Sequence, residues 1–511
     1  LGAAVNVRAL ERQLEILKEM GCNGIRCSHN PPAPELLDLC DRMGFLVMDE
    51  AFDQWISPKN KQDYHLYFQE WHERDLTAMV ARDRNHPSVV MWSIGNEIRD
   101  QQSAEGAKAA AQLIAICHQL DDTRLVTCGN DEIASNTPTS PEFLAAFEND
   151  IVGYNYPDRW RTRREVIYAI DKAAYPNRRV VATESTGLGG ARRQYQWPGT
   201  TPPPQLGAGA DGFSPQQQQR PQFRRRPQRG IISSNMIDVE QRWRFTTAYD
   251  YVIGDFMWTG IDYYGESRWP SRGSQSGYLD NCGFPKDGYW FFKSIWSKEP
   301  VLHLLPHWNW EGHEGQITQV ACFTNCEEVE LFVNGKSYGK KATEYPRRGV
   351  NPSWASYDPD KHYATTADLH LVWDVEYQPG EIKVVGKHGD KTFEEVIRTA
   401  DKPAQLRATV DRPSFRAIPS DVAHVIVEVL DKDGNICPLA DNLVHFSVTG
   451  GRLIGVENGN MADLGSVLAS ERKAWSGKCL AIIAADRPGP VTVTVQADGL
   501  PQSSVTFTAT K

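Results

Sequence analysis

The sequence predicts a (β/α)8 barrel of the TIM type lacking its first strand, followed by two all-β immunoglobulin-like sandwiches. Three observations carry this. Over residues 1–300, short apolar runs alternate with longer amphipathic ones, the pattern of a parallel sheet covered by helices. From about residue 301 the chain changes to short strands separated by turns. Its 511 residues, 40% apolar and 23% charged, suffice for about three domains with real cores.

The elements follow in order. Ala9, Leu10, Leu14, Leu17 and Met20 recur at helical spacing, and Gly21 closes that helix. Residues 23–29 read as a strand, 34–43 as a helix and 45–50 as a strand. A helix over about 65–85 ends at Asn85-His86-Pro87. Further strands are expected at 89–95, 125–128, 151–156, 180–183 and 253–261. That gives seven strands where a closed barrel needs eight. A helix precedes the first of them, so the absent strand is expected just upstream of Leu1; a seven-stranded or open sheet is the alternative. Residues 196–230 break the alternation with Pro, Gln and Arg, five Arg against Asp211, and read as a solvated insertion. A first sandwich is expected over 301–400, with Asn334-Gly335 as a hairpin signal. A second is expected over 401–511, with a turn at Asp433-Gly434 and a linker at 397–404.

Composition excludes several classes. A net charge of -10 lacks the basic footprint of a nucleic-acid binder. No run of about 18 apolar residues exists to span a membrane. Ten cysteines are too few for a disulfide framework, and Cys322 and Cys326 have no second pair at zinc-site distance. No G-x-S-x-G elbow stands at a strand-to-helix turn, no Gly-rich dinucleotide turn follows a strand, and P-loop and H-E-x-x-H motifs are absent.

What remains is a set of polar residues at strand ends. Glu97 ends the strand Val89-Val90-Met91-Trp92-Ser93-Ile94-Gly95-Asn96, which puts a carboxylate at the barrel's C-terminal mouth. Asn96 beside it offers a donor and an acceptor to a substrate hydroxyl. Glu184 ends a second strand three strands later. Two carboxylates across a barrel mouth suit glycoside hydrolysis, where one protonates the leaving oxygen and the other attacks or stabilises the anomeric carbon. Arg26 could hold an ionised carboxylate, and His29 could bond a sugar hydroxyl. Asp49, Glu50 and Asp53 would suit a polyhydroxyl or metal ligand, with surface acids the bland alternative. Tyr154, Tyr156 and Trp258 are rings at strand ends, where they could stack on sugars. In a regular strand Tyr154 and Tyr156 would share a face, though packing is a fair alternative for Tyr154.

Ile25-Arg26-Cys27-Ser28-His29-Asn30-Pro31-Pro32, Asp49-Glu50-Ala51-Phe52-Asp53, Trp92-Ser93-Ile94-Gly95-Asn96-Glu97, Thr183-Glu184 and Trp258-Thr259-Gly260-Ile261-Asp262 together resemble glycoside hydrolase family 2, most of all its bacterial β-galactosidases. The likeness covers residues 1–300 closely and the two β regions more loosely. It implies a retaining mechanism with Glu97 as acid/base and Glu184 as nucleophile. It matches Asn96 to the residue that contacts the sugar 2-hydroxyl, and Arg26 to a buried arginine near the nucleophile. His29, Asp53, Tyr156 and Trp258 match pocket positions. No cofactor is required; acids at the mouth would accept a divalent or sodium ion, but no spacing demands one. The expected partner is a glycoside or oligosaccharide, and a homo-oligomer is left open.

The resemblance also raises departures. Family members usually carry a sugar-binding jelly roll and a sandwich before the barrel, so the chain is expected to be a fragment or one piece of a larger assembly. The 196–230 insertion closely follows Glu184, where it would act as a lid or stay loose. The start at Leu1, with no basic-then-apolar leader, leaves localisation unknown, although a periplasmic or secreted place fits a polysaccharide-degrading relative. β-Glucuronidase and β-mannosidase are the rival activities. Arg268 and Arg272 could serve a uronate carboxylate, but no clear Asn-x-Lys pair stands near them. A truncated, non-catalytic carbohydrate-binding protein is the rival outside enzymes.

Overall fold

The computed structural model describes residues 5–133, 135, 137–157, 167–187, 190, 192–195, 197, 239–240, 243, 246–247, 249–267, 271–342 and 369–511. All of the 196–230 insertion except Trp197, and Arg268, fall outside them.

Among the described residues, seven strands form one parallel sheet in chain order: β1 (Gly24–Arg26), β2 (Leu46–Glu50), β3 (Val89–Asn96), β4 (Leu125–Asn130), β5 (Ile151–Asn155), β6 (Arg179–Thr186) and β7 (Val252–Trp258). The sheet curls into a nearly closed barrel, and Phe256 of β7 reaches Gly24 of β1, where a Cβ would lie 3.4 Å from its ring. Helices α1 (Val7–Met20), α2 (Pro34–Met43), α3 (His65–Asp83), α4 (Ala104–Leu120), α5 (Pro141–Ala145) and α6 (Ile167–Ala174) come between strands or before the first. Their limits follow local chemistry. Asn6 caps α1 by accepting from the Ala9 N–H at 3.0 Å, and Gly21 ends it at φ +98°. A Cβ on Gly21 would also lie 2.7 Å from Trp296 Cβ, so glycine is needed twice over.

Strand alternation decides which side chains enter the barrel. Met48, Met91, Ile151 and Val181 pack with Phe256 inside it, while a larger cluster including Val47, Leu76, Trp92, Leu113 and Phe143 fills the space under the helices. The same alternation splits the acids of β2. Glu50 joins Met48 on the inner side, and Asp49 faces outward toward Asp83 of α3. Both are fully buried, so the surface-acid reading fails for this pair.

Burial, then the Asp83 charge, pushes the Asp49 carboxyl up to about 8. The folded protein therefore binds this proton more tightly than the unfolded chain does. That contribution is complete below the ordinary carboxylate range and is lost as pH rises toward about 8. Asp49→Asn is expected to remove this loss, so its advantage over wild type in urea unfolding should be larger at pH 8 than at pH 5. A variant that is weaker relative to wild type at pH 8 than at pH 5 would contradict the assignment.

A short hairpin, β8 (Tyr263–Tyr264) with β9 (Gly273–Ser274), follows the barrel, and α7 (Asp287–Trp296) packs against α1. Two pairs of sheets complete the chain. The first pair is β10 (Leu302–Leu305), β11 (Ile317–Thr324) and β14 (Leu371–Glu376) with β12 (Glu328–Val333), β13 (Lys336–Lys341), β15 (Glu381–His388) and β16 (Lys391–Arg398). They enclose Leu304, Val320, Leu331, Trp373 and Val384. Asn334 (φ +48°) and Gly335 (φ +80°) make the expected two-residue turn between β12 and β13.

In the second pair, β17 (Gln405–Val410), β19 (Ala423–Leu430), β21 (Arg452–Glu457) and β23 (Lys478–Ala484) form one sheet. The other holds β18 (Ser414–Arg416), β20 (Leu443–Thr449), β22 (Glu471–Lys473), β24 (Gly489–Gln496) and β25 (Ser503–Thr510). Val425, Val427, Phe446, Val493 and Phe507 lie between them. The segment read as a 397–404 linker is tighter than expected. β16 takes residues up to Arg398, and Ala400 exchanges hydrogen bonds with the Asn309 side chain at 3.1 and 2.8 Å. All ten cysteines are free, and Cys322 and Cys326 are buried as small apolar residues. Among the described residues no helix is long and apolar enough to cross a membrane.

Candidate active site

The C-terminal ends of β1, β2, β3, β5, β6 and β7 bring the singled-out residues together. Arg26 is the centre. Its Nε and Nη2 donate to Glu50 Oε2 at 2.9 and 2.7 Å. Its Nη1 donates to Glu184 Oε2 at 2.9 Å and to the Thr183 carbonyl at 3.0 Å, and Nη2 also donates to Asn96 Oδ1 at 2.9 Å. All five guanidinium N–H groups are thereby used, and the side chain is 4% exposed. Arg26 thus has no donor left for a ligand; it joins Glu50, Glu184 and Asn96 at the barrel mouth.

Burial alone would raise the Glu50 carboxyl. Arg26, with hydrogen bonds from His29 and Ser93, outweighs burial and holds it below the ordinary range. His29 Nδ1 lies 2.7 Å from Glu50 Oε1, so the network assigns the proton to Nδ1. Nε2 is left 3.3 Å from Asn96 Nδ2 and 3.8 Å from Glu184 Oε2. Trp258 stacks flat on the His29 ring, 5.1 Å between centroids at 2°.

Glu97 and Tyr156 both occupy left-handed backbone, at φ +44° and +47°. Such conformations cost non-glycine residues about 1 kcal/mol or more and cluster at functional sites. Each is held by the neighbouring strand. The Glu97 N–H donates to the Gly129 carbonyl at 2.7 Å, and the Tyr156 N–H to the Glu184 carbonyl at 2.6 Å. The turn at Tyr156 ends β5 at Asn155, so the regular alternation that would put Tyr154 and Tyr156 on one face does not extend to Tyr156. Tyr154 points into the helix layer, where its hydroxyl donates to Asp171 at 2.6 Å and its ring meets Tyr168 at 5.5 Å. Packing, not sugar stacking, is its role.

Several participants escaped the sequence reading. Asn155 Nδ2 donates to Asn96 Oδ1 at 2.8 Å and lies 3.4 Å from Glu97 Oε1, and Asn155 Oδ1 accepts from Thr183 Oγ1 at 2.7 Å. It ties β3 to β6 across β5. Ser93 donates to Glu50 Oε2 at 2.6 Å. Lys59 donates to Asp53 Oδ1 at 2.6 Å and to the Asn96 carbonyl at 2.9 Å. Asn155 and Ser93 had a signal, as polar residues in otherwise apolar strands; Lys59, in a loop, had none. Gly129 makes the convergence fit. A Cβ there would lie 2.8 Å from Asn155 Oδ1, and 3.0 Å from both Arg26 Nη2 and Asn96 Oδ1.

Among the described residues the acids of the mouth do not form a group of three closely spaced metal-ligand atoms. Among the described residues the one group of three is Asp38, Asp41 and His86. It lies at the opposite end of the barrel, before β3 begins, and its Asp41 and His86 already bond each other at 2.6 Å.

A parallel barrel with glutamates at the ends of its third and sixth described strands, one of them held by a buried arginine, has the layout of a glycoside hydrolase barrel. Known proteins make this specific. The glycosyl hydrolases family 2 TIM-barrel model matches residues 1–167, and the family 2 C-terminal domain 5 model matches 406–506. A domain of unknown function matches 315–393. β-Galactosidase BoGH2A of Bacteroides ovatus is 40% identical over 562 aligned residues, covering 100% of this chain and 60% of that protein. A β-glucuronidase of Formosa agariphila is 25% identical over 88% of this chain and 40% of its own length. The solved structure of a β-glycosidase from Bacteroides vulgatus, 32% identical, superposes with a TM-score of 0.78 over 99% of this chain and 62% of that one. The chain belongs to glycoside hydrolase family 2, and it spans about 60% of the length of BoGH2A.

Proposed function

We propose that this chain carries the catalytic site of a retaining exo-β-galactosidase, with Glu97 as acid/base and Glu184 as nucleophile. The observation that carries the reading is the Arg26 network. It fixes Glu184 Oε2 at 2.9 Å and, through Asn96 and Asn155, ties the same centre to Glu97 on the other side of the mouth. In the first step Glu97 gives its proton to the glycosidic oxygen as the C–O bond breaks, and a Glu184 carboxylate oxygen bonds to the anomeric carbon. In the second, Glu97 takes a proton from water, the water oxygen bonds to the anomeric carbon, and Glu184 leaves as carboxylate. Asn96 Oδ1 is spent on Arg26 and Asn155, so its NH2, now 3.3 Å from Asp53 Oδ1, is the part that faces a sugar hydroxyl. The Trp258 face opposite His29 is the platform for the sugar's apolar side.

Two observations favour a neutral galactoside over a uronide. Arg26, Lys59 and Arg272 each face a carboxylate of the chain: Glu50 and Glu184, Asp53, and Glu457. BoGH2A, 40% identical over the whole chain, is a β-galactosidase.

The test is intact-mass spectrometry after incubation with activated 2-deoxy-2-fluoro β-glycosides. A galactosyl adduct on Glu184 is the expected result. An adduct only with the glucuronide or mannoside would keep the mechanism and change the sugar. No adduct with any of them would reject the reading in favour of a non-catalytic binder.

A further inference from the structure

The loops that finish β6 and β7 are pinned by the terminal sandwich. Arg192, in the segment after Glu184, pairs with Asp280 at 2.8 Å and donates to the carbonyls of Asn458 and Trp475 at 3.0 and 2.8 Å. The Arg272 N–H donates to the Met461 carbonyl at 2.8 Å. Gly459, at φ +87°, lets the sandwich come so near that a Cβ there would lie 2.1 Å from Asp280 Oδ2.

Glu457, the last residue of β21, is buried in this contact. Its Oε2 accepts from Arg272 Nη2 at 2.9 Å and from the Tyr264 hydroxyl at 3.2 Å. Tyr264 lies in β8, and Arg272 immediately precedes β9, so one carboxylate grips both arms of the hairpin. Tyr263 points the other way by strand alternation, and its ring stands edge-on to Trp258 at 5.5 Å. Trp258 stacks on His29, which bonds Glu50 and lies 3.8 Å from Glu184.

We propose that Glu457 is a positioning residue for the reaction. By holding hairpin β8–β9 it fixes the Trp258 ring, and with it the place of the sugar beside Glu184. This rests on the glycosidase reading of the mouth, and it makes the terminal sandwich part of the catalytic apparatus.

The test uses the full chain with Glu457→Ala and Glu457→Gln, and with Glu471→Ala as a control on an exposed sandwich residue away from the barrel. With an activated galactoside, Glu457→Ala is expected to raise KM about fivefold to tenfold and leave kcat within about twofold, as loss of an aromatic binding platform would. Glu457→Gln should fall between, because it still accepts from Tyr264 but loses the charge facing Arg272. Glu471→Ala should match wild type. Amide hydrogen exchange in Glu457→Ala should speed up over residues 255–266 and stay unchanged over 423–430, within the sandwich. Unchanged exchange at 255–266 would overturn the proposal, and so would a fall in kcat at constant KM. If wild type turned over no glycoside, the functional reading would fail, while the exchange result would still decide whether Glu457 holds the hairpin.

Discussion

Glu184→Ala is expected to reduce kcat by on the order of 10⁵-fold, because no covalent intermediate can form without its carboxylate. Glu97→Ala should cost less, about 10²- to 10⁴-fold, and least with a leaving group that needs no proton. Azide separates the two roles. On the proposed roles, Glu97→Ala should still form the glycosyl-enzyme, and azide should enter from the face that water uses and give a β-galactosyl azide. In Glu184→Ala azide should take the proposed nucleophile's place and displace the leaving group once, which would give the α-azide. The measurement is the anomeric configuration of the azide product by NMR, with rates on a dinitrophenyl galactoside. The same anomer from both variants, or equal rate losses with azide present, would undo the assignment.

Arg26→Met is expected to destabilise the fold by about 3–5 kcal/mol at neutral pH, because removing one partner leaves buried charge uncompensated. Glu50 is fully buried and loses the cation that offsets its burial, and Glu184 and Asn96 lose a donor each. The pH dependence has a definite sign. The Glu50 carboxyl is held below its ordinary value in the folded protein, so its contribution is present above that value and lost as pH falls through the lower, folded one. Without Arg26, burial becomes the dominant influence and raises the carboxyl instead. Protonation then relieves the variant, so its deficit relative to wild type should shrink from pH 7.5 to pH 5 in urea unfolding. Arg26→Lys should regain some stability but little activity, since an ammonium has three donors and the site uses five. A Met variant within about 0.5 kcal/mol of wild type at pH 7.5, the range of an ordinary surface change, would contradict this account.

The barrel strands were legible because parallel strands buried on both faces read as apolar runs, and β1 to β7 fall where those runs lie. Strand-end glutamates were legible for a related reason. A carboxylate closing an apolar strand stands out, and in an α/β barrel that end is the mouth. The β12–β13 turn was legible because Asn-Gly tolerates two successive positive φ angles. The roles within the strand ends were not legible. Asp49 and Glu50 are adjacent acids, yet the two faces of one strand send one to the helix layer and the other to Arg26. Tyr154 and Tyr156 read as a pair, but the strand ends at Asn155, Tyr156 itself takes left-handed backbone, and Tyr154 turns to Asp171 in the helix layer.

By itself the sequence determined what periodicity and turn chemistry control: seven parallel strands with helices over them, β sheets after them, and carboxylates at one end. Tertiary structure decided everything that depends on which distant groups meet. The five bonds of Arg26 join β1 to β2, β3 and β6, and the Asn155 bridge crosses from β3 to β6. The grip of Glu457 on the hairpin after β7 joins residues far apart in the chain. A linear pattern encodes how each segment folds against its immediate neighbours. Hydrogen-bond partners across a barrel mouth, or between a barrel and a sandwich, exist only once the segments have packed.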